Sequence, residues 1–371
     1  MASFRTGRVE RLLARDPDLI KAEVSLSDET IEAHGYPAML GPLAPGDRVV
    51  VNTTGLDLEL GTGGVGFLLW NLDGRGPPGP GEGHIVKMRY TPWQTNVATI
   101  EEPDSLHHER LAEASSLEGM PVVACGLHSQ IAGVAAGIRA LAPEARIAYL
   151  MSDAGALPLA WSDLVRRLRR AGMLDVTCTH GHAFGGDLEA VNVFSGLAAL
   201  RHAAGADVVV AAMGPGAVGT ATALGSTSLE QGQTLDAAGA LGGRALACLR
   251  ISFADPRARH RGVSHHCLTS LGTVARGRCT VVVPELEPER SQEVLRQLEG
   301  AGVTARHDVS IDDGEPGLRL LDAAGVEPTV MGRSPRGDPH AFLAAAAAGA
   351  CAARMLVAPV RPGTEEGGRG G

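Results

Sequence analysis

The sequence predicts an α/β protein: a small β-barrel-like domain followed by a doubly wound, mainly parallel sheet. Three observations lead there. Short strands punctuated by Pro and Gly fill the first hundred residues, the texture changes near Met120, and beyond it seven apolar runs are each followed by a helical stretch. The 371 residues suffice for two such units, and an apolar fraction of 44% supplies a substantial core.

In the N-terminal part, RVERLLA, LIKAEVSL, DRVVVNTT, VGFLLWNL, HIVKMRY and TNVATIEE are rich in Val, Ile and Leu and separated by turn formers, the composition of short strands. The turn-then-strand LGPLAPGDRVVVN suits a small barrel, and GRGPPGPGEG holds too many breakers for anything but a hairpin loop. Residues 1–104 are therefore expected to form one β domain, with a helical connector over 105–119.

From 120 to 358 the strands are MPVVAC, RIAYLMS, MLDVTCT, DVVVAAM, RALACLRIS, CTVVVPEL and VTARHDVSI, alternating with helices. Near-continuous apolar strands imply a parallel sheet buried on both faces, with right-handed crossovers. The missing eighth unit and uneven strands favour an open, Rossmann-like sheet over a closed barrel. The Ala-rich HAFLAAAAAGACAARML reads as a small-residue packing helix, and residues 359–371 as a disordered tail.

Composition excludes several classes. A net charge of −9 without a basic block argues against nucleic acid. No apolar run is long enough for a membrane span, and the opening MASFRTGRVERLLARDPD lacks a signal-peptide core. Cysteines 125, 178, 248, 267, 279 and 351 are scattered without a CxxC pair, which points to a reducing cytoplasm. Oligomeric state stays open, a homo-oligomer included. Only two lysines occur, Lys21 and Lys87, so Lys87 is a candidate for chemistry that a guanidinium cannot do.

In a parallel sheet every strand delivers its following loop to one edge, where open α/β sheets bind ligands. The loops here bring His128 and Ser129; Asp153; His180, His182 and Asp187; Gly214, Gly216, Gly219 and Thr220; then Arg259, Arg261, His265 and His266. Loops on the opposite edge are plain, such as RAGM and LGG. His180 and His182, two apart at a strand end, are expected to face one way. With Asp187 they form a candidate divalent-metal set, with His265 or His266 available to complete it. Imidazoles serve equally as acid–base groups, so His180, His182, Asp187, His265, His266 and Lys87 are the catalytic candidates. The G-x-G-x-x-G of GPGAVG, with Thr220, is a candidate anion loop, joined by Arg259, Arg261, His128, Ser129, Asp153 and His84. As a dinucleotide fingerprint it is weak, because it follows the fourth strand and no acidic residue closes the next.

With GHIVKMRYTP, SLEGMPVVACGLHSQ, GHAFGGDLEAVNVFSGL, MGPGAVGT and LRISFADPRARHRGVSHH in view, the chain resembles a bacterial family catalogued as domain-of-unknown-function family 3866. The likeness runs from the first strands to about Pro359 and implies no activity, cofactor or catalytic roles. From the residues, the expected function is an enzyme acting on a small anionic metabolite at the sheet edge, by metal-assisted hydrolysis or another bond cleavage. Alternatives are a regulatory module that binds a nucleotide or metabolite without turning it over, and an NAD(P)-dependent oxidoreductase.

Overall fold

The N-terminal strands close on themselves because each alternates inward and outward along its length. β1 (Phe4–Arg15), β2 (Ile20–Ser25), β3 (Thr30–Gly35), β4 (Arg48–Asn52) and β5 (Gly66–Asn71) form a closed barrel in the order β1-β2-β3-β5-β4. Its interior holds Val9, Ile20, Ala22, Val24, Ile31, Ala33, Val49, Val51 and Leu68. Leu40, at the end of α1 (Pro37–Leu40), packs into the same core. A second short helix, α2 (Thr54–Asp57), follows β4. The computed structural model describes residues 2–59, 64–74, 76, 79 and 81–357. The expected GRGPPGPGEG hairpin and the segment GTGGVGF lie partly outside the described residues, and the expected disordered tail at 359–371 wholly so.

Two differences from the sequence reading arise here. Strand β3, TIEAHG, was not expected, because only Ile31 and Ala33 point inward between Glu32 and His34. HIVKMRY and TNVATIEE do not enter the barrel. They pair as a two-stranded antiparallel ribbon, β6 (Ile85–Lys87) with β7 (Thr95–Val97), and a helix α3 (His108–Glu113) follows.

The second part is an eight-stranded, all-parallel sheet. Its strands are β8 (Pro121–Cys125), β9 (Ile147–Ser152), β10 (Val176–Thr179), β11 (Leu188–Glu189), β12 (Val208–Met213) and β13 (Arg244–Cys248), continued by β16 (Thr280–Pro284) and β17 (Asp308–Asp312). A small hairpin, β14 (Ile251–Ser252) with β15 (Gly262–Val263), lies between β13 and β16. The sheet order is β11-β10-β9-β12-β8-β13-β16-β17. All seven expected strands are present, and two-residue β11 extends one edge.

The helices are α4 (Gln130–Leu141), α5 (Asp163–Arg170), α6 (Val193–His202), α7 (Glu230–Ala240), α8 (His265–Thr269), α9 (Pro288–Gly300), α10 (Glu315–Ala323) and α11 (Pro339–Val357). Strand periodicity divides the core in two. Val122, Ala124, Val209 and Ala211 pack with Leu200 of α6, Leu235 of α7 and Leu298 of α9. Their neighbours Val123, Cys125, Val208 and Val210 pack with Ile131 of α4, Leu168 of α5 and Ala345 of α11. Adjacent β12 and β8 send their connections in opposite directions, β8 to β9 and β12 to β13, so the strand order reverses between them. Among the described residues, no helix is long and apolar enough to cross a membrane.

Helix α11 lies on α4 at backbone contact. A Cβ at Gly137 would sit 2.1 Å from the Ala346 carbonyl oxygen, and one at Gly349 equally close to that of Val134. Alanine is the better helix former by about 1 kcal/mol, yet Gly137→Ala has to push two helices apart. The expected outcome of urea unfolding is a net loss of about 1–3 kcal/mol; unchanged or increased stability would contradict this packing.

Candidate functional site

The loops leaving β9, β10 and β12 are laced together by backbone bonds. Ala156 N–H donates to the Pro215 carbonyl (2.7 Å), Leu159 N–H to Phe184 (2.9 Å), and Phe184 N–H to Leu157 (2.9 Å). The lacing is close enough to exclude side chains: a Cβ at Gly214 would lie 2.3 Å from the Ala156 oxygen.

The barrel docks on this platform through aromatic contacts centred on Trp161, with Tyr36 edge-on to Phe184 beside them. Trp161, just before α5, stacks at 5.1 Å from both His34 of β3 and Phe67 of β5. Lys21 adds an ion pair to Asp163 at 3.4 Å. Between barrel and platform runs a groove of about 410 Å³, walled by Tyr36, Phe67, Trp93, Trp161 and Phe184. These are five of the chain's twelve aromatic residues. Across Met88, Trp93 and Leu157 it adjoins a second chamber of about 400 Å³ that carries Arg89, Thr91, Asp153 and His182.

The polar end is pre-set by hydrogen bonds. The Met88 backbone N–H donates to His182 Nδ1 (2.9 Å), and His182's own N–H donates to Asp153 Oδ2 (2.8 Å). A backbone amide only donates, so Nδ1 keeps its lone pair and the ring proton sits on Nε2. His182 is thereby a neutral N–H donor, and a protonated Nε2 cannot ligate a metal. Gly181, at φ 67°, turns the chain between the two histidines. The strand geometry on which the shared direction of the two rings was expected is therefore absent: β10 ends at Thr179, before the pair. His180 is buried, which lowers its pKa to about 4, with Asp153 offsetting part of the effect.

Several expected residues are placed elsewhere. Asp187 pairs with Arg169 (2.7 Å) and accepts from Thr177 N–H and Oγ1, beside the first half of β10. The expected metal set of His180, His182 and Asp187 is not assembled; among the described residues no three His, Cys, Asp or Glu are grouped to hold a metal ion. Lys87 is fully buried, donating to the Ala190 carbonyl (3.2 Å) and pairing with Glu189 (3.4 Å). It anchors the ribbon to the loop after β10.

His84 is largely exposed beside Glu102, in a cavity of about 550 Å³ that also carries Glu82, Asp104, Asp187 and Glu189. That acidic lining repels the anion His84 was expected to bind. His128 bonds to Tyr149 Oη, the Met213 carbonyl and Ser162 Oγ, which occupies both ring nitrogens, and burial lowers its pKa to about 4. Ser129 is half-buried at the start of α4.

The Gly214–Thr220 segment is not an open cradle. Val218 N–H donates to Thr227 Oγ1 and Thr220 N–H to the Gly225 carbonyl, so the loop binds itself as an exposed arm. Gly216 lies within that arm at φ 95°. No helix opens directly behind it; α7 begins at Glu230, whose carboxylate opposes a phosphate there. Arg259, Arg261, His265 and His266 gather at the β14–β15 hairpin and the start of α8, away from the residues that line the groove.

The sequence reading missed the aromatic walls and Glu230. Glu230 accepts from Ser152 Oγ at 2.5 Å; burial raises its pKa and the nearby Asp153 charge adds to the rise. Nothing in the local sequence ties Glu230 to Asp153, since the two meet only through the β9–β12 pairing. Tyr36 and Phe67 belong to the barrel, and only its docking brings them to the sheet edge.

The chain belongs to the family described as Protein of unknown function (DUF3866), whose model matches residues 32–349. No curated protein matches the sequence.

Removing one partner of a buried ion pair strands the other. Burial already raises the Glu189 pKa, offset by Lys87, Thr179 and Gly185. Lys87→Met is expected to cost about 3 kcal/mol or more at neutral pH. Because the folded state then holds the Glu189 proton more tightly than the unfolded chain, acidification should recover part of that loss. Urea unfolding of both proteins at pH 7 and pH 5 checks this; an equal loss at both would rule out the ion pair as its cause.

Proposed function

We propose that the chain is an enzyme acting on a small amphipathic anion bound in the groove between barrel and sheet edge. The observation that carries this reading is the concentration of five of twelve aromatic residues on one groove that ends at His182 and Asp153. An apolar trough with a few fixed polar groups at one end is the usual form of a small-molecule site. A ring or short apolar body fits among Phe67, Trp93, Trp161 and Phe184, and Arg89 supplies the charge for an anionic head.

The chemistry follows from the polar end. A neutral imidazole whose Nε2–H is fixed in place stabilises negative charge developing on a substrate oxygen. Asp153 is the group placed to accept or return a proton beside it. This supports proton transfer next to the anionic head, or hydrolysis of a bond there, without recourse to a metal. Residence in a reducing cytoplasm belongs to the same reading and is supported by six free, buried cysteines. The nicotinamide alternative gains no support from the self-bonded Gly214–Thr220 loop.

Trp93 and Trp161 report on the groove directly. Ring-bearing carboxylates and nucleoside monophosphates, titrated singly, are expected to quench their fluorescence saturably for at least one class. Phe184→Ala should weaken that binding by about tenfold. His182→Gln should lower product formation by about a hundredfold while binding changes far less. Binding indifferent to Phe184→Ala would remove the groove from the account; tight binding with no product from any ligand would leave a metabolite-binding module.

A further inference from the structure

We propose a second ligand site, for an oxyanion of the phosphate class, where the arm after β12 meets the start of α8. Its observations are independent of the groove. His260, His265 and His266 pack ring against ring, with centroids 3.9 Å apart for His265 and His266, and 5.1 and 5.6 Å from His260 to each of these. His260 Nδ1 is bonded to Ser264 Oγ (2.8 Å). Nε2 of His265 and of His266 are buried and have no hydrogen-bond partner among the described residues, and neither has Ser270 Oγ one turn further on. His266 is only 8% exposed, so these polar atoms carry the cost of lost hydration without a bond in return. The Gly219 backbone closes over them: a Cβ there would lie 3.2 Å from His266 Cε1.

The surrounding charge decides what kind of partner would satisfy these atoms. Asp255 is fully buried and binds Arg250 (3.3 Å), Arg257 (2.8 Å) and Arg333 (3.2 Å). Arg333 also reaches Asp338 (3.1 Å). Arg259, exposed beside the histidines, forms no ion pair among the described residues. Four arginines thus face two carboxylates, leaving positive charge in excess around imidazoles that burial keeps neutral, lowering the His266 pKa to about 4. That field repels a metal cation and favours an anion. An imidazole N–H donor and a guanidinium are the usual partners of a phosphate oxygen. Arg250 Nε is itself buried and unpartnered, a further donor in the same cluster.

Nitrogen-15 spectra of the histidine rings in the full chain test the site. Inorganic phosphate and sulfate, added separately, are expected to shift His265 and His266 saturably and to leave exposed His84 unmoved. A preference for a nucleoside monophosphate over inorganic phosphate would mark an esterified phosphate as the ligand; the reverse order would mark the free ion. Arg259→Gln should weaken the affinity by about tenfold, His266→Gln should abolish it, and Phe184→Ala should leave it unchanged. Should His266→Gln fail to fold, Arg259→Gln at its exposed position carries the test alone. Absence of a saturable shift with every anion, or shifts that Arg259→Gln leaves intact, would overturn the site. Neither result bears on the groove.

Discussion

Everything that follows at the groove depends on the seating of Trp161 against His34 and Phe67. Barrel and sheet each have a complete core, and the barrel needs no help from the sheet to bury its own interior. What fixes one against the other is a large flat ring, rich in buried area, wedged between two strands that are themselves paired at His34 and Phe67. Because Trp161 stands only a few residues beyond Leu157 and Pro158, docking the barrel also roofs the platform. The same residue therefore joins the two units and walls the opening between them.

The parallel sheet explains why chemistry is confined to that rim. Strands buried on both faces admit almost no polar side chain, so polar groups are pushed into the loops. The expected ligand crevice of such a sheet lies where strand order reverses, here between β12 and β8. In this chain that place is filled. His128, in the loop after β8, bonds to the Met213 carbonyl at the end of β12, and Gln231 donates to the Ala124 and Cys248 carbonyls at the ends of β8 and β13. An imidazole and a buried amide thus satisfy these strand ends from within, and the groove opens along the rim at the loops after β9 and β10.

Much of this was legible in the sequence, because burial imposes period and composition. Seven of the sheet's eight strands and the alternation with its helices follow from runs such as DVVVAAM and TVVVP. The barrel was legible as a class but not in its strand list, since TIEAHG offers two inward residues and HIVKMRY has strand composition without barrel membership. At the site, His182 and Asp153 were visible as loop residues after neighbouring strands. Their roles were not, because a tautomer set by the Met88 amide is a tertiary fact. Lys87 and Asp187 misled for a related reason: rarity and charge mark a residue as special, while only its partners show whether it serves chemistry or support. Gly214 of GPGAVG likewise reflects close backbone packing against Ala156.

The hydrogen bond from Met88 to His182 is made by main chain, and this insulates it from sequence drift. The bond uses no side-chain atom of position 88, although the φ of 49° there disfavours β-branched residues as well as proline, so the imidazole's tautomer is encoded by the path of the ribbon. Peeling the ribbon away would release Nδ1 and free the ring to take either tautomer. The state of the ring and the closure of the strap above it are one variable, and a change in either is felt as a change in the other.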